Sequence, residues 1–543
     1  MTVILLTSAE KPLLAFARQR LSAFSGRVFL TIPLQQGMSI ADVLGELGLS
    51  AETGTALFEG MPGMHIVPCE DTVVYAVLSG GERPDYSSVL AVYDEIWAET
   101  PEKAAPLRRF FSEKTKLYPA EDSDDAPIWL RRWKDGYCLR KDTDNIKSTY
   151  VNVGRDAIVV GAGLAGAMTA WELSRRGCRV TVIDAGCVPG SAASALFAGL
   201  IHPHWQAADS PLFRLTRAGY EAMIPLLERF PDCFIPCGVV DAASSGEEYE
   251  KWRAAYGKGV PFVMPEAFAK LLSRDEARQY SGMPLTRGGW LFPRAGLVHA
   301  GRLCRRLIEA AGVRMLTGYE VRLRRSNEGW EAVSSSGSVL ASASQAAVCA
   351  GLATPDVIGI PRTWTGMSGL YGRISLLRDI DLPMLRTALT GDGYMASTPE
   401  GFCAVGATYE PGEARVLSES EAHEHNLATF DKLTGRRPVV TASGFYEGVR
   451  AVAADRMPLA GRAFTAETMS AFHYRGRPEV SAVPRADGLW ICAGLGSRGI
   501  TWGLACARLT AAGICGEPLP LQASLVRQLD PARFVPKLFG TKR

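Results

Sequence analysis

The stretch AIVVGAGLAGAMTAWELSRRGCRVTVIDAG at residues 157–186 constrains the fold more than any other part of the chain. An apolar run, AIVV, enters Gly161-x-Gly163-x-x-Gly166, a helix-forming segment follows, and a second apolar run ends on Asp184. The first glycine permits a tight turn, the second lets backbone approach a pyrophosphate, and the third lets helix pack closely on strand. The helix N-terminus offers unpaired N–H groups and the positive end of its dipole to phosphate. Asp184, at the end of the second strand, is placed to bind ribose hydroxyls. This spacing fits FAD and NAD alike.

The unit begins only after about 150 residues, and 543 residues are enough for several domains. The balance of 59 Lys plus Arg against 57 Asp plus Glu, a net charge of +2, gives no global attraction to nucleic acid, so DNA is not expected as a partner. The N-terminus MTVILLTSAEKPLLAFARQR lacks the parts of a secretory signal, and no apolar run reaches the length of a membrane span. A cytoplasmic protein with no membrane contact is therefore expected. Twelve Cys at irregular spacing, several of them inside apolar segments, fit a reducing compartment. Cys233 and Cys237 form the tightest pair but have no second ligand pair at zinc spacing, and no metal is expected.

Residues 1–82 alternate strand and helix signals: TVILLTS, PLLAFARQRLSAF, GRVFLTIPL, QQGMSIADVLGELGL and TVVYAVLSGG. From GRVFLTIPL onward the pattern resembles the β-grasp sulfur-carrier and ubiquitin-like families, whose last strand ends in Gly-Gly. Carrier chemistry needs a free terminal glycine, whereas Gly80 and Gly81 continue into ERPDYSSV. A packing or docking module is therefore expected, one able to recruit a protein partner through residues 1–150. Residues 83–150 hold two amphipathic helix candidates, SSVLAVYDEIWAE and KAAPLRRFFSEKTKLY, an acidic breaker, and the aromatic and basic run WLRRWKDGY.

Downstream of the glycine turn no doubly wound repeat continues. Instead the chain closes with GLWICAGLGSRGITWGLACARLTAAGICG, a strand, glycine turn and helix more than 300 residues later. From about residue 156 to the C-terminus it resembles the FAD-dependent oxidoreductase domain of the bifunctional enzymes that make the 5-methylaminomethyl-2-thiouridine wobble base of tRNA, within the D-amino-acid and glycine oxidase superfamily. The resemblance rests on GGWLFP (288–293), GFCAVGATYEPG (401–412), GVRAVAADRMPLAG (448–461), GLWICAGLGSRGI (488–500) and GEPLPLQASLVRQLDPARF (516–534).

The resemblance implies an α/β and α+β architecture. A Rossmann-like FAD-binding domain of the glutathione-reductase and D-amino-acid-oxidase type (about 156–225, 290–355 and 440–543) is interleaved with an antiparallel-sheet substrate domain (about 226–289 and 356–439), and the whole region 151–543 follows the two small N-terminal modules, 1–82 and 83–150. It implies FAD held by Gly161, Gly163, Gly166, Asp184, Ala193, Ser194, Gly199, Gly351, Gly494, Gly496, Ser497, Gly499 and Ile500, with the backbone N–H groups of the Gly494–Gly499 turn against the flavin ring. Arg450 and Arg498 stand where related oxidases clamp a substrate carboxylate, a role that suits the guanidinium fork.

The chain also departs from the family. Where relatives carry a polar Asn-Arg-Gln in the loop after the second strand, Leu196, Phe197 and Ala198 stand here, with Ala193, Ser194, Gly199 and Pro203 kept. Residues 1–150 lack the glycine-rich loop of the family's N-terminal methyltransferase. Three functions are compatible: oxidation of an N-carboxymethyl amine on tRNA, oxidation of glycine or a small N-substituted amino acid, or a flavoprotein-like scaffold. Tyr371, Tyr394 and Tyr409 are candidates for the substrate cavity or for packing.

Overall fold

The structure is a computed structural model. It describes residues 156–539 apart from 207–209, 259–264, 379–384, 438–439, 441, 471 and 475–477, and in the first 155 residues mainly the segments 2–6, 11–22, 27–34, 38–52, 63–69, 72–78, 95–97 and 116–118. The chain divides into two compact units, Met1–Val153 with Ala512–Ser524, and Gly154–Ala511 with Leu525–Arg543.

In the first unit β1 (Thr2–Leu6), α1 (Lys11–Leu21), β2 (Val28–Leu34), α2 (Ile40–Leu47), β3 (Gly63–Cys69) and β4 (Thr72–Leu78) precede two short strands, β5 (Glu95–Trp97) and β6 (Lys116–Tyr118). They form one sheet in the order β3-β4-β2-β1-β5-β6, parallel throughout except for β3 against β4. All seven residues of β2 are buried, as an inner strand of a parallel sheet requires.

This corrects the β-grasp expectation. A β-grasp pairs its first strand with a hairpin neighbour, whereas β2 lies beside β1, and a helical crossover between them makes the pair parallel. Glu95–Trp97, inside the first amphipathic helix candidate, is a strand, and the second candidate ends in another. Gly80, Gly81 and WLRRWKDGY fall outside the described residues. Within this unit Arg27 meets the buried Glu517 at 3.4 Å, and the Tyr75 hydroxyl donates to the Pro518 carbonyl at 3.4 Å.

In the second unit β7 (Asp156–Val160), α3 (Leu164–Ser174) and β8 (Arg179–Asp184) form the expected strand, helix and strand. Their sheet runs Arg314–Thr317, β8, β7, Gln345–Val348, Leu489–Ala493, Leu459–Arg462, parallel except for the last strand. Chain order and spatial order differ widely here. The strand beside β7 arrives nearly 190 residues later, and a hydrophobic core drawn from both ends of the unit, including Ile158, Val348 and Ile491, holds it there.

A nine-stranded, largely antiparallel sheet forms the other layer. Its longest members are β9 (Met367–Arg378) and β10 (Gly444–Ala453), in register from Met367↔Ala453 to Leu376↔Gly444. Both β10 and Gly289–Phe292 belong to this sheet, although the sequence divisions assigned most of their residues to the nucleotide part. Period-2 alternation gives β10 two distinct rows of side chains, Tyr446, Gly448 and Arg450 on one face and Phe445, Glu447 and Val449 on the other.

Candidate functional site

The glycine turn after β7 is built as its spacing predicts. Gly161 has φ +102°, and a Cβ there would stand 2.5 Å from the Cys349 carbonyl oxygen. A Cβ on Gly166 would lie 1.8 Å from the Gly161 carbonyl oxygen, so only glycine lets α3 close on the turn. Gly163 caps the helix N-terminus, and the Ser194 hydroxyl accepts the Leu164 N–H at 3.0 Å. Asp184 ends β8 and accepts the N–H of Ala162 (2.5 Å) and of Gly186 (2.7 Å). Its carboxylate thus ties the glycine turn to the end of β8, and a carboxylate retains further lone pairs for a ribose.

The loop after β8 crosses to the second sheet. Ala193 accepts the Tyr446 hydroxyl at 3.1 Å and Ala198 accepts that of Tyr394 at 3.0 Å, while Leu196 accepts the Ala300 N–H at 2.9 Å. The apolar Leu196, Phe197 and Ala198 therefore sit in a loop fixed through its backbone. A Cβ on Gly199 would meet Ile500 Cδ1 at 2.2 Å, which brings the first loop against the start of α4 (Gly499–Cys515).

Gly494 (φ +68°) and Gly496 (φ +56°) shape the late turn, and the Val452↔Leu495 bridge fastens it to the end of β10. Ser497 of this turn is exposed and Ile500 is buried. Gly351 (φ +55°) opens a short turn after Gln345–Val348 and has no atom within 4 Å of an added Cβ. Glu172 of α3, deeply buried, pairs with Arg176 at 2.5 Å and with Arg508 of α4 at 3.2 Å. Burial alone would raise its carboxyl, but Arg508 and Arg176 hold it down at about 2.

Arg450 points from the Tyr446, Gly448, Arg450 row into this space. Gly372 on β9 clears room for it: a Cβ there would stand 2.2 Å from Arg450 Nη1. That Nη1 is buried without a hydrogen-bond partner, and the guanidinium lies 5.1 Å from the Tyr409 ring centroid. Arg498 lies over Trp502 at 5.8 Å, and Trp502 Nε1 donates to the Leu495 carbonyl of the same turn at 2.9 Å. Burial lowers the proton affinity of Arg498, Tyr409 opposes this, and nearby Arg456 adds to it. Among the described residues neither Arg450 nor Arg498 forms an ion pair. A buried, unsatisfied guanidinium donor costs free energy until an anion reaches it.

The three tyrosines separate. Tyr371 lies on the opposite face of β9, where its hydroxyl bonds Glu447 and accepts from Arg415 Nε at 3.1 Å, so it belongs to packing. Tyr394 is half-buried at the loop, and Tyr409 is 58% exposed beside Arg450. Several residues near Arg498 were not singled out in the sequence. Burial pushes His202 and His204 down to about 4, with Arg498 adding repulsion, and pushes Asp241 up to about 7 despite Arg498. Tyr446 was legible by its spacing, four residues before Arg450 on one strand face. Cys233 and Cys237 are separate thiols raised by burial. Among the described residues no cluster of three metal-binding side chains occurs, and no helix is long and apolar enough to cross a membrane.

The chain is similar to known proteins in sequence and in fold. The tRNA 5-methylaminomethyl-2-thiouridine biosynthesis bifunctional protein MnmC of Burkholderia mallei is 34% identical over 399 residues, covering 70% of this chain and 59% of its own length. The chain thus spans little more than half of the curated relatives it matches. Glycine oxidase from Geobacillus kaustophilus shares the fold with a TM-score of 0.56 at 21% identity, covering 70% of this chain and 98% of that one. Iminodiacetate oxidase from Chelativorans sp. BNC1 aligns with a TM-score of 0.53 at 22% identity, covering 67% and 96%. Residues 156–512 match the family model for FAD dependent oxidoreductase, so the chain belongs to that family and FAD is its cofactor.

Proposed function

We propose that the enzyme oxidises the C–N bond of an N-carboxymethyl amine, R–NH–CH2–COOH, and that R is the wobble uridine of a tRNA. The products are the primary amine R–NH2 and glyoxylate. The overall balance consumes one dioxygen and one water and releases one hydrogen peroxide. The observation that carries the reading is the buried, partnerless Nη1 of Arg450 in the same space as Arg498, within a chain whose curated relatives are named for tRNA 5-methylaminomethyl-2-thiouridine synthesis.

The glycine turn, the N-terminus of α3, Ser194 and Asp184 fit the pyrophosphate and ribose of FAD, and the Gly494–Gly499 turn with Ile500 and Gly199 fits its ring. Bound there, FAD would supply the two-electron acceptor that the amine oxidation requires. Arg450 and Arg498 hold the substrate carboxylate, and that grip orients the neighbouring methylene. With its carboxylate neutralised, the substrate amine enters as the free base, so the chain need not supply a strong base. The apolar Leu196 and Phe197 segment keeps water from one side of the cavity.

A second reading, oxidation of a small N-substituted amino acid, draws on that same apolar segment, which lacks polar groups for a nucleoside. Peroxide release from purified holoenzyme separates the two. The tRNA reading expects turnover of a tRNA bearing 5-carboxymethylaminomethyl-uridine with glyoxylate formed in equal amount. Turnover of glycine, sarcosine or iminodiacetate without turnover of that tRNA would overturn it.

A further inference from the structure

The loop at residues 193–198 is where the parts of the site meet. The Ser194 hydroxyl accepts the Leu164 N–H at the start of α3, and Gly199, just after the loop, abuts Ile500 at the start of α4. Apart from Ser194 every side chain of the loop is apolar, so its hold on the substrate sheet falls to its backbone. Two phenols from that sheet take it up. The Tyr394 hydroxyl donates to the Ala198 carbonyl at 3.0 Å and the Tyr446 hydroxyl to the Ala193 carbonyl at 3.1 Å, one at each end of the loop.

Tyr446 differs from Tyr394 in what else its strand carries. It stands four residues before Arg450 on the same face of β10, and between the two Gly448 pairs directly with Gly372 of β9. A Cβ on Gly448 would lie 3.6 Å from Tyr446 Oη and 3.7 Å from Ala193 Cα, and one on Gly372 would lie 2.2 Å from Arg450 Nη1. Such facing positions are about 4.5–5.5 Å apart across an antiparallel pair. Phenol and guanidinium therefore lean towards each other over one bare strip of backbone. Because β10 is paired with β9 along its whole length, the strand fixes the spacing between the anchor of the loop and the partnerless Nη1.

We propose that Tyr446 is a positioning residue, whose hydroxyl sets the loop on the flavin side at a fixed distance from the guanidinium that holds the substrate carboxylate. Through that tie the substrate methylene is presented to the flavin at the right height. The inference rests on the carboxylate-clamp reading above and adds the group that aligns the two halves of the site.

The test compares wild-type holoenzyme with Tyr446→Phe, which removes the hydroxyl and keeps the ring. Dilution of the holoenzyme, followed by the fluorescence of released flavin, gives the FAD dissociation constant, expected to rise about fivefold with the loss of one neutral hydrogen bond. Anaerobic bleaching of the bound flavin is followed with iminodiacetate and with an anticodon stem-loop RNA carrying 5-carboxymethylaminomethyl-uridine. The limiting rate is expected to fall about tenfold, because the reacting atoms are misplaced, while half-saturation stays within about twofold of wild type. Arg450→Ala is expected to show the opposite split, with half-saturation raised. A wild-type FAD dissociation constant in Tyr446→Phe would overturn the proposal, as would a half-saturation raised as far as in Arg450→Ala, which would make Tyr446 a substrate contact. An unchanged half-saturation in Arg450→Ala would remove the clamp reading alone, and the FAD dissociation constant of Tyr446→Phe, measured without substrate, still decides the tie.

Discussion

Arg450 shows how much of a site one orphaned nitrogen can define. Its Nη1 is buried without an acceptor, and Gly372 leaves the room it occupies. Charge-assisted hydrogen bonds contribute about 1.5–3 kcal/mol, so Arg450→Ala is expected to raise KM for carboxylate substrates by roughly 10- to 100-fold in a peroxide assay. Arg450→Lys keeps the charge but loses the fork, and its KM is expected between the two. An unchanged KM in Arg450→Ala would remove the clamp. Arg456 has a left-handed backbone at φ +60°, and Arg456→Gly, which relieves that strain, is expected to stabilise the fold by about 1 kcal/mol in denaturant titration. The sequence pointed to Arg450 and Arg498 through the motifs around them. It could not point to Arg456, because the strain that distinguishes it is a backbone angle, nor to Asp241, whose apolar strand GVVDAA conceals which neighbours reach it.

At the scale of elements, the strand, glycine turn and helix were legible because steric rules act over a few residues. Gly166→Ala would bring a Cβ to 1.8 Å from a carbonyl oxygen that cannot move away cheaply, so this variant is expected to purify without bound flavin absorbance. Gly199→Ala meets the flexible side-chain tips of Ile500 and Leu196, at 2.2 and 3.2 Å, and is expected to keep part of it. Glu172 pins α3 to α4 through Arg508 and also holds Arg176, just past the end of α3. Its replacement by Ala strands buried charge, and a loss of roughly 3–5 kcal/mol in unfolding free energy is expected. The N-terminal sheet was misread for an instructive reason. Alternating strand and helix signals look alike in a β-grasp and in a parallel sheet, and the difference lies in whether the partner of β2 comes from a hairpin or, as here, from a crossover.

For the whole molecule, the buried groups near Arg498 give stability a defined pH profile. His202 and His204 stay neutral in the folded state down to about 4, whereas the unfolded chain binds protons below the ordinary histidine value near 6.5. Their contribution is present above about 6.5 and is lost as pH falls from there towards 4. Asp241 is raised to about 7, so its contribution is full below its ordinary value near 3.8 and is lost as pH rises through 7. Thermal unfolding of Asp241→Asn and wild type is therefore expected to converge near pH 4 and to diverge by pH 8, where the variant is the more stable. The opposite order at pH 8 would contradict the burial of a lone carboxyl. Free FAD at a hundred times its dissociation constant is expected to add about 2.7 kcal/mol to the unfolding free energy of the family domain, seen as a Tm that climbs with FAD concentration.

The alternation of β10 bears on how such a pocket changes sign. Arg450 faces the cavity, and Glu447, three positions earlier, faces the other way and is tied to Arg415 at 2.5 Å. Insertion of one residue between Tyr446 and Glu447 would leave Arg450 where it is only if the strand bulged. Otherwise every side chain downstream of the insertion would exchange faces, which turns Arg450 away and brings the Glu447 carboxylate into the cavity. A single codon gained or lost in this strand is thus enough to turn an anion receptor towards amines that carry a second positive charge.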